Sequence, residues 1–164
     1  MELEDIHNAI KEYRELFEKL VSQKGQEEEI GREISFLVEN ILGYVEKKEV
    51  LRLQCGISKL VPPCSEDCDQ KFKFLIEAKN PNHNLVEDDL EDGVECVLKN
   101  GTSMLVLTNG RQLKLYAVAE LDGEIARELI FDFDLMNESL NLLSQNLWTL
   151  CRKDCGRKII VHLH

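Results

Sequence analysis

The residues best suited to chemistry are the glutamate and lysine of Glu77-Ala78-Lys79, which close the mostly apolar run Phe72–Ile76. Side chains alternate between the faces of a strand, so a strand here directs Glu77 and Lys79 to one face and Ala78 to the other. A carboxylate beside an ammonium at an exposed strand end suits phosphodiester hydrolysis. The carboxylate holds Mg²⁺, and the lysine orients the water or stabilises charge on the phosphate. Glu-x-Lys pairs also occur by chance on solvated strands, so this one needs support from the rest of the chain.

Length and composition indicate a single globular domain. The chain has 164 residues, of which 43% are hydrophobic and 31% charged, enough for one good core. Its apolar runs are too short to span a membrane. The N-terminus opens with Glu2, Glu4 and Asp5 and not with a basic, apolar leader. We therefore expect a cytoplasmic protein with no membrane contact and with mostly reduced cysteines.

The net charge of −11 is unevenly distributed. Residues 1–40 carry 11 acidic against 5 basic side chains, and residues 81–100 carry 6 against 1. Between these two acidic segments, Lys71, Lys73 and Lys79 belong to a locally basic stretch and are candidate DNA contacts. The whole-chain charge argues against tight independent binding to a polyanion. DNA is therefore expected as a partner, but one that this chain alone binds weakly.

Hydrophobic periodicity predicts a mixed α/β fold, with a central sheet flanked by helices. Helices are predicted over residues 3–20, 26–42, 85–99 and 139–151, and strands over residues 50–57, 72–78, 104–107, 113–118, 128–133 and 158–163. A polar loop is expected over residues 58–70, and turns at Asn80-Pro81-Asn82, Asn109-Gly110 and Asp122-Gly123. The chain is predicted to be one domain, residues 1–164, with an N-terminal helical extension (1–25), a core (26–135) and a C-terminal helix and strand (136–164).

Several motifs occur in a characteristic order over roughly residues 27–118. The predicted helix over residues 26–42 carries the string Glu29-Ile30-Gly31-Arg32 and ends at Leu42-Gly43-Tyr44. Phe74–Lys79 is followed by an acidic helix, and then by the strings Leu105–Arg111 and Leu113–Tyr116. This combination resembles the N-terminal nuclease domain of type I restriction enzyme R subunits, in the PD-(D/E)xK nuclease superfamily. The resemblance implies a restriction-endonuclease-like fold.

The resemblance also assigns roles to residues. Glu77 would ligate Mg²⁺, Lys79 would be the catalytic lysine, and Glu29 or Glu33 would complete the outer metal shell. The family has an aspartate on the strand hairpinned against the glutamate, and here Gln54 occupies that position. The family's acidic helix often carries a glutamine aimed at the site, and here Asp92 or Glu95 occupies that region.

Two functions follow from these assignments. One is a Mg²⁺-dependent DNA endonuclease of a restriction-modification system, whose product carries a 5′-phosphate. The other is a catalytically inactive interaction or regulatory module on the same fold, with protein partners in such a system. The replacement of aspartate by Gln54 and the charge of −11 both favour the second.

Other candidate sites have simpler explanations. Cys64, Cys68, Cys151 and Cys155 form two Cys-x-x-x-Cys pairs, but structural zinc sites usually contain tighter Cys-x-x-Cys pairs. Chance spacing is the better account, and a zinc-stabilised binding protein is a third, weaker hypothesis. His83 is interpreted as a surface loop residue, Thr108-Asn109-Gly110 as a turn without chemistry, and Glu87-Asp88-Asp89 as a solvated helix face.

Overall fold

The structure, a computed structural model, describes residues 3–22, 35–41, 57–61 and 74–150. The chain divides into two compact units, one made of residues 1–47 and 135–164 and the other of residues 48–134. The second unit ends at Asp134, next to the predicted boundary at residue 135. The single domain expected from the sequence stays a prediction.

A five-stranded mixed sheet and one helix form the described part of the second unit. The strands are β1 (Ile57–Val61), β2 (Phe74–Ala78), β3 (Met104–Thr108), β4 (Gln112–Leu121) and β5 (Glu124–Asp134), adjacent in that order. The β2–β3 pair is parallel and the other pairs are antiparallel. A parallel pair needs a crossover connection, and helix α2 (Glu87–Lys99) lies in it. The predicted mixed α/β architecture is confirmed at this level, whereas a restriction-endonuclease-like fold remains a prediction.

Helix α2 packs on one face of the sheet through its apolar stripe. Leu90, Val94 and Val97 lie on that stripe and are buried against the sheet. Their partners are the sheet residues Leu75, Leu105, Leu107 and Val118. Gly93 permits the close approach, because a Cβ there would lie 2.7 Å from Leu105 Cδ2. The face that meets α2 is also the face that carries Glu77, two residues beyond Leu75.

Two tight turns join the last three strands, as predicted. Gly110 in the β3–β4 turn has φ of 82°, and Asp122 and Gly123 in the β4–β5 turn have φ of 54° and 84°. In the β4–β5 turn, positive φ at both central residues gives the twist that antiparallel hairpins require. The β5 strand is longer than predicted, because it starts directly after this turn at Glu124.

Three helical segments form the described part of the other unit: α1 (Leu3–Ser22), a π-helical turn (Leu37–Ile41) and α3 (Leu140–Leu150). Helix α1 contacts both of the others and buries the stripe predicted from the sequence, namely Ile6, Ile10, Tyr13, Phe17 and Leu20. Arg14 fixes the chain before α3, since its Nε and Nη2 donate to the carbonyls of Leu135 (2.7 Å) and Glu138 (2.6 Å).

One predicted boundary is wrong, and several predictions fall outside the described residues. Residues 58–61 fall in the predicted polar loop (58–70), but they belong to β1 and pair with β2. The predicted strand at residues 50–56, the helix at 26–34, the rest of the polar loop (62–70) and the terminal strand at 158–163 lie outside the described residues. Among the helices that the structure describes, none has the length and apolarity to cross a bilayer.

Candidate functional site

Glu77 and Lys79 lie on the same face of the sheet at the end of β2, as the strand periodicity predicts. Lys79 Nζ is 3.4 Å from Glu77 Oε1. The Glu77 side chain is fully buried, whereas that of Lys79 is 20% exposed. The sequence suggested an exposed strand end, but β2 is paired on both sides and α2 covers the same face. The carboxylate is therefore enclosed, and the lysine is the group that reaches solvent.

The strand register places no acidic residue directly beside Glu77. Its partner on β1 is Ser58, and its partner on β3 is Leu107. The resemblance predicts an aspartate on the strand next to Glu77, but the residue paired with Glu77 on β1 is Ser58. Gln54, the residue assigned to that role from the sequence, lies outside the described residues.

Helix α2 supplies two further carboxylates to Lys79. Asp89 Oδ1 lies 3.4 Å and Asp92 Oδ2 lies 3.6 Å from Lys79 Nζ. Asp92 is the α2 residue that reaches the site, whereas Glu95 pairs with Lys99 at 2.5 Å. The lysine ammonium is therefore surrounded by three carboxylates, two of them buried.

Asp89 is the residue that joins the site to the start of α2. Its Oδ2 accepts a hydrogen bond from the backbone N–H of Val86 (2.9 Å) and lies 2.7 Å from His83 Nε2. The bond from Val86 is one half of a capping box, with an acidic side chain at the third helical position. The interpretation of Glu87-Asp88-Asp89 as a solvated face is wrong for Asp89, which is buried.

His83 is held in the loop after β2 by backbone and side-chain contacts. The backbone N–H groups of His83 and Asn82 donate to the carbonyl and side-chain oxygens of Asn80, which closes the predicted turn. Asn109 Nδ2 donates to the carbonyl of His83 at 2.9 Å. The Asn109 side chain therefore links the β3–β4 turn to this loop, a role that turn propensity alone does not reveal.

The ionic contacts shift the pKa values of Lys79 and Asp89. Burial acts to lower the pKa of Lys79, but the charges of Glu77 and Asp89, and hydrogen bonds to them, outweigh it and raise that pKa. Burial acts to raise the pKa of Asp89. The hydrogen bonds from Val86 and His83, and the charges of His83 and Lys79, outweigh it and lower that pKa. Both groups are therefore held in their charged forms.

A second set of charges connects α2 with β4 and β5. Arg127 on β5 pairs with Glu87 (3.6 Å) and Glu91 of α2. Burial, with the charges of Glu87 and Asp132, raises the pKa of Tyr116 on β4. The Arg127 ion pairs thus join the first two turns of α2, where Asp89 lies, to β5.

Magnesium, the ion that the resemblance implies, prefers carboxylate oxygens, and Glu77 offers one. The described residues alone do not complete a site for it. No group of three or more His, Cys, Asp or Glu side chains in them is arranged to hold a metal ion. The position among the three carboxylates is taken by Lys79 Nζ. The other proposed ligands, Glu29, Glu33 and Gln54, lie outside the described residues.

The remaining predicted site residues also fall in segments that the structure leaves undescribed. These are the DNA-contact candidates Lys71 and Lys73 and the zinc candidates Cys64, Cys68, Cys151 and Cys155. Their roles stay predictions.

Comparison with known proteins gives no match. No protein-family model and no curated protein matches the sequence, and no solved structure matches the fold. The resemblance to the nuclease domain of type I restriction enzymes thus rests on the motifs and their order along the chain, and it stays a prediction.

Proposed function

We propose that this chain is a DNA-acting domain related to the Mg²⁺-dependent endonuclease module of type I restriction enzymes, with Glu77 and Lys79 at its functional centre. The observation that carries the proposal is the contact between Lys79 Nζ and the buried Glu77 carboxylate at the end of β2. Buried charges are costly unless they are paired. Here the Glu77–Lys79 pair lies beside a further buried carboxylate, that of Asp89. Such close grouping of ionisable side chains is typical of functional sites.

Lys79 is the residue that would meet the DNA phosphate. Its side chain is partly exposed, and its raised pKa keeps the ammonium charged at neutral pH. The surrounding carboxylates orient it, and they also partly cancel its field. A polyanion therefore gains less from Lys79 than from an unpaired lysine. This agrees with the weak DNA binding expected from the charge of −11.

A catalytically inactive interaction or regulatory module is the second candidate. The register supports it, because Ser58, and not an acidic residue, lies beside Glu77 on β1. The three carboxylates around Lys79 support it as well. The lysine ammonium balances their charge and occupies the position that a metal ion would take between them.

Nicking of supercoiled plasmid with Mg²⁺ or Mn²⁺ separates the two candidates. An endonuclease should nick the plasmid, and both Lys79→Ala and Glu77→Gln should abolish nicking. Lys99→Ala is the matched control, because it removes the same charge from the exposed side of α2. Nicking that survives in Lys79→Ala would place the activity at another site or in a contaminant.

Absence of nicking in the folded protein would favour the inactive module. In that case we expect salt-sensitive binding of duplex DNA that is lost when Lys71 and Lys73 are both changed to Glu. A protein that neither nicks plasmid nor binds DNA at low salt would contradict the DNA-acting proposal and leave only an interaction module with protein partners.

A further inference from the structure

The last strand of the sheet, β5, has an open edge. Among the strands that the structure describes, β4 is its one neighbour, and the β4–β5 hairpin extends beyond β3, which pairs with β4 no further than Ala117. Every residue from Glu124 to Leu129 is exposed. An edge strand directs backbone N–H and C=O groups outward at every second residue, and another extended chain can pair with them. The edge of β5 is therefore a template for strand addition.

The sequence of β5 lacks the usual protection of an edge strand. Short length, proline, lysine and bulges commonly prevent edge pairing. The strand has 11 residues and contains neither proline nor lysine. Its register irregularity lies opposite Leu115 and Tyr116 of β4, so the ladder from Glu124 to Leu129 is regular. This regular stretch is long enough to pair with a further strand.

The two faces of this edge differ in chemistry. Arg127 lies on the face that meets α2, because it pairs with two glutamates of that helix. Ile125 and Leu129 alternate with Arg127 on the same face, and each is 48% exposed. Glu124 and Glu128 lie on the opposite face and are exposed as well. A strand added to this edge would thus meet apolar side chains on one face and carboxylates on the other.

The charges around the edge are strongly unbalanced. Residues 120–134 carry six acidic side chains and one basic side chain, Arg127, which α2 already neutralises. Four of these acidic side chains make no ion pair with any residue in the part of the chain that the structure describes, namely Glu120, Asp122, Glu124 and Glu128. Electrostatic complementarity therefore favours a positively charged partner.

We propose that β5 is the docking edge for an extended segment of a protein partner in which lysine or arginine alternates with apolar residues. Main-chain hydrogen bonds to β5 supply affinity, and the alternate side chains supply specificity. The apolar side chains of the segment contact Ile125 and Leu129, and its basic side chains contact Glu124 and Glu128. None of these contacts involves Lys79, so the docking edge does not depend on an action on DNA.

A second copy of the chain is a less suitable occupant. Antiparallel pairing of two β5 strands centred on Ala126 would place Glu124 opposite the copy's Glu128, and centring the pair on Glu128 would place that carboxylate opposite its own copy. Parallel pairing in register would place every carboxylate beside its copy. Like charges directly opposite each other destabilise a sheet. The carboxylates thus disfavour self-pairing and leave the edge to a basic strand.

The test uses the full chain and a fluorescent peptide of about eight residues, the length of a strand, in which lysine and valine alternate. A second peptide has the same sequence with a methyl group on each backbone nitrogen, which removes its N–H donors and keeps its charge. Anisotropy titrations at low salt should show at least about tenfold tighter binding of the first peptide. Equal affinity for both peptides would show that charge alone attracts them and would overturn strand addition.

Charge reversal tests the acidic face of the edge. Glu124→Lys combined with Glu128→Lys should weaken binding of the lysine–valine peptide about tenfold and create binding of the matching glutamate–valine peptide. The control, Glu15→Lys combined with Glu18→Lys, makes the same change of net charge on the exposed side of α1 and should retain the preference for lysine. All four side chains are exposed, so effects on stability should be small. A preference that does not switch, or that switches equally in the control, would overturn the docking edge.

Hydrogen exchange identifies the occupant of the edge. The bound lysine–valine peptide should slow the exchange of every second amide between Glu124 and Leu129, those that point away from β4, and leave the others unchanged. A uniform change, or none, would place the peptide elsewhere and contradict the proposal. Slow exchange of the same amides without peptide, at concentrations where sedimentation shows a dimer, would make a second copy the occupant and contradict it as well.

Discussion

At the scale of single residues, the fully buried Glu77 carboxylate depends on its counter-charge. An ionised group taken out of water is stabilised only by close counter-charges and hydrogen bonds. Lys79 supplies such a counter-charge at 3.4 Å. Removing one member of a buried pair costs more than removing both, because the remaining charge stays buried.

We therefore predict that Lys79→Met lowers the free energy of unfolding by about 2–3 kcal/mol, less than for a fully buried pair because Lys79 is partly exposed. The double variant Glu77→Gln/Lys79→Met should recover at least about 1 kcal/mol of this loss. Urea unfolding of the wild-type, single and double variants measures the coupling. Additive effects of the two substitutions would show that the pair contributes nothing to stability.

The lowered pKa of Asp89 predicts how stability depends on acid. A group whose folded-state pKa is below its unfolded value, near 4, stabilises the protein above that value, and this contribution is lost as pH falls through the folded-state pKa. At pH 6, Asp89→Asn should cost about 1–2 kcal/mol, and this cost should shrink as the pH falls below about 4. Asp88→Asn, next along the exposed side of α2, is the control and should show no such convergence.

The raised pKa of Lys79 acts at the opposite end of the pH scale. Its contribution is complete below the unfolded-state value of about 10.5 and is lost as pH rises through the folded-state pKa. Between roughly pH 5 and 9 both contributions are complete. The ionic contacts of Lys79 and Asp89 should therefore stabilise the protein most within this pH range.

At the scale of secondary-structure elements, the close contact of α2 with the sheet brings the Asp89 and Asp92 carboxylates to Lys79. Gly93 brings the helix against Leu105 of β3, and the N-terminal turn of α2 then carries Asp89 to Lys79. The registry of helix on sheet thus decides which helix residues reach the site. Asp92 contacts Lys79, whereas Glu95, about one turn further on, pairs within the helix.

Substitution of Gly93 tests this contact. Alanine favours a helix by about 1 kcal/mol over glycine, but its Cβ would collide with the Leu105 side chain, and overpacking costs roughly 1–3 kcal/mol. We expect Gly93→Ala to destabilise the protein by about 1 kcal/mol in urea unfolding. In a Leu105→Val background, where the colliding δ carbons are absent, the same change should be neutral or stabilising. A stabilising effect in the wild-type background would contradict the close approach.

At the scale of the whole molecule, the charge of −11 should limit the affinity for DNA that we propose for this chain. Acidic side chains outside the contact repel a polyanion over a distance set by salt, about 10 Å at 0.1 M. Several of them lie on α2, the helix that bears the site, and Asp88 and Glu95 are exposed there.

Neutralising Asp88→Asn and Glu95→Gln together should therefore raise DNA affinity several-fold at 50 mM salt and have little effect at 300 mM. Anisotropy titrations at the two salt concentrations measure this. The same gain at both concentrations would point to a direct contact and not to long-range repulsion.

The sequence by itself determined the features that depend on local periodicity and turn chemistry. Alternation along β2 placed Glu77 and Lys79 on one face, the apolar stripe located α2, and Asn109-Gly110 and Asp122-Gly123 located two hairpin turns. Only the tertiary structure decided what these residues contact. The burial of Glu77, the pairing of Ser58 with it, and the choice of Asp92 over Glu95 depend on strand register and on how closely α2 approaches the sheet. The same is true of the Asp89 link between Lys79 and His83. Each of these joins residues from different elements, and their side-chain packing, which no short sequence window encodes, sets the distances between them.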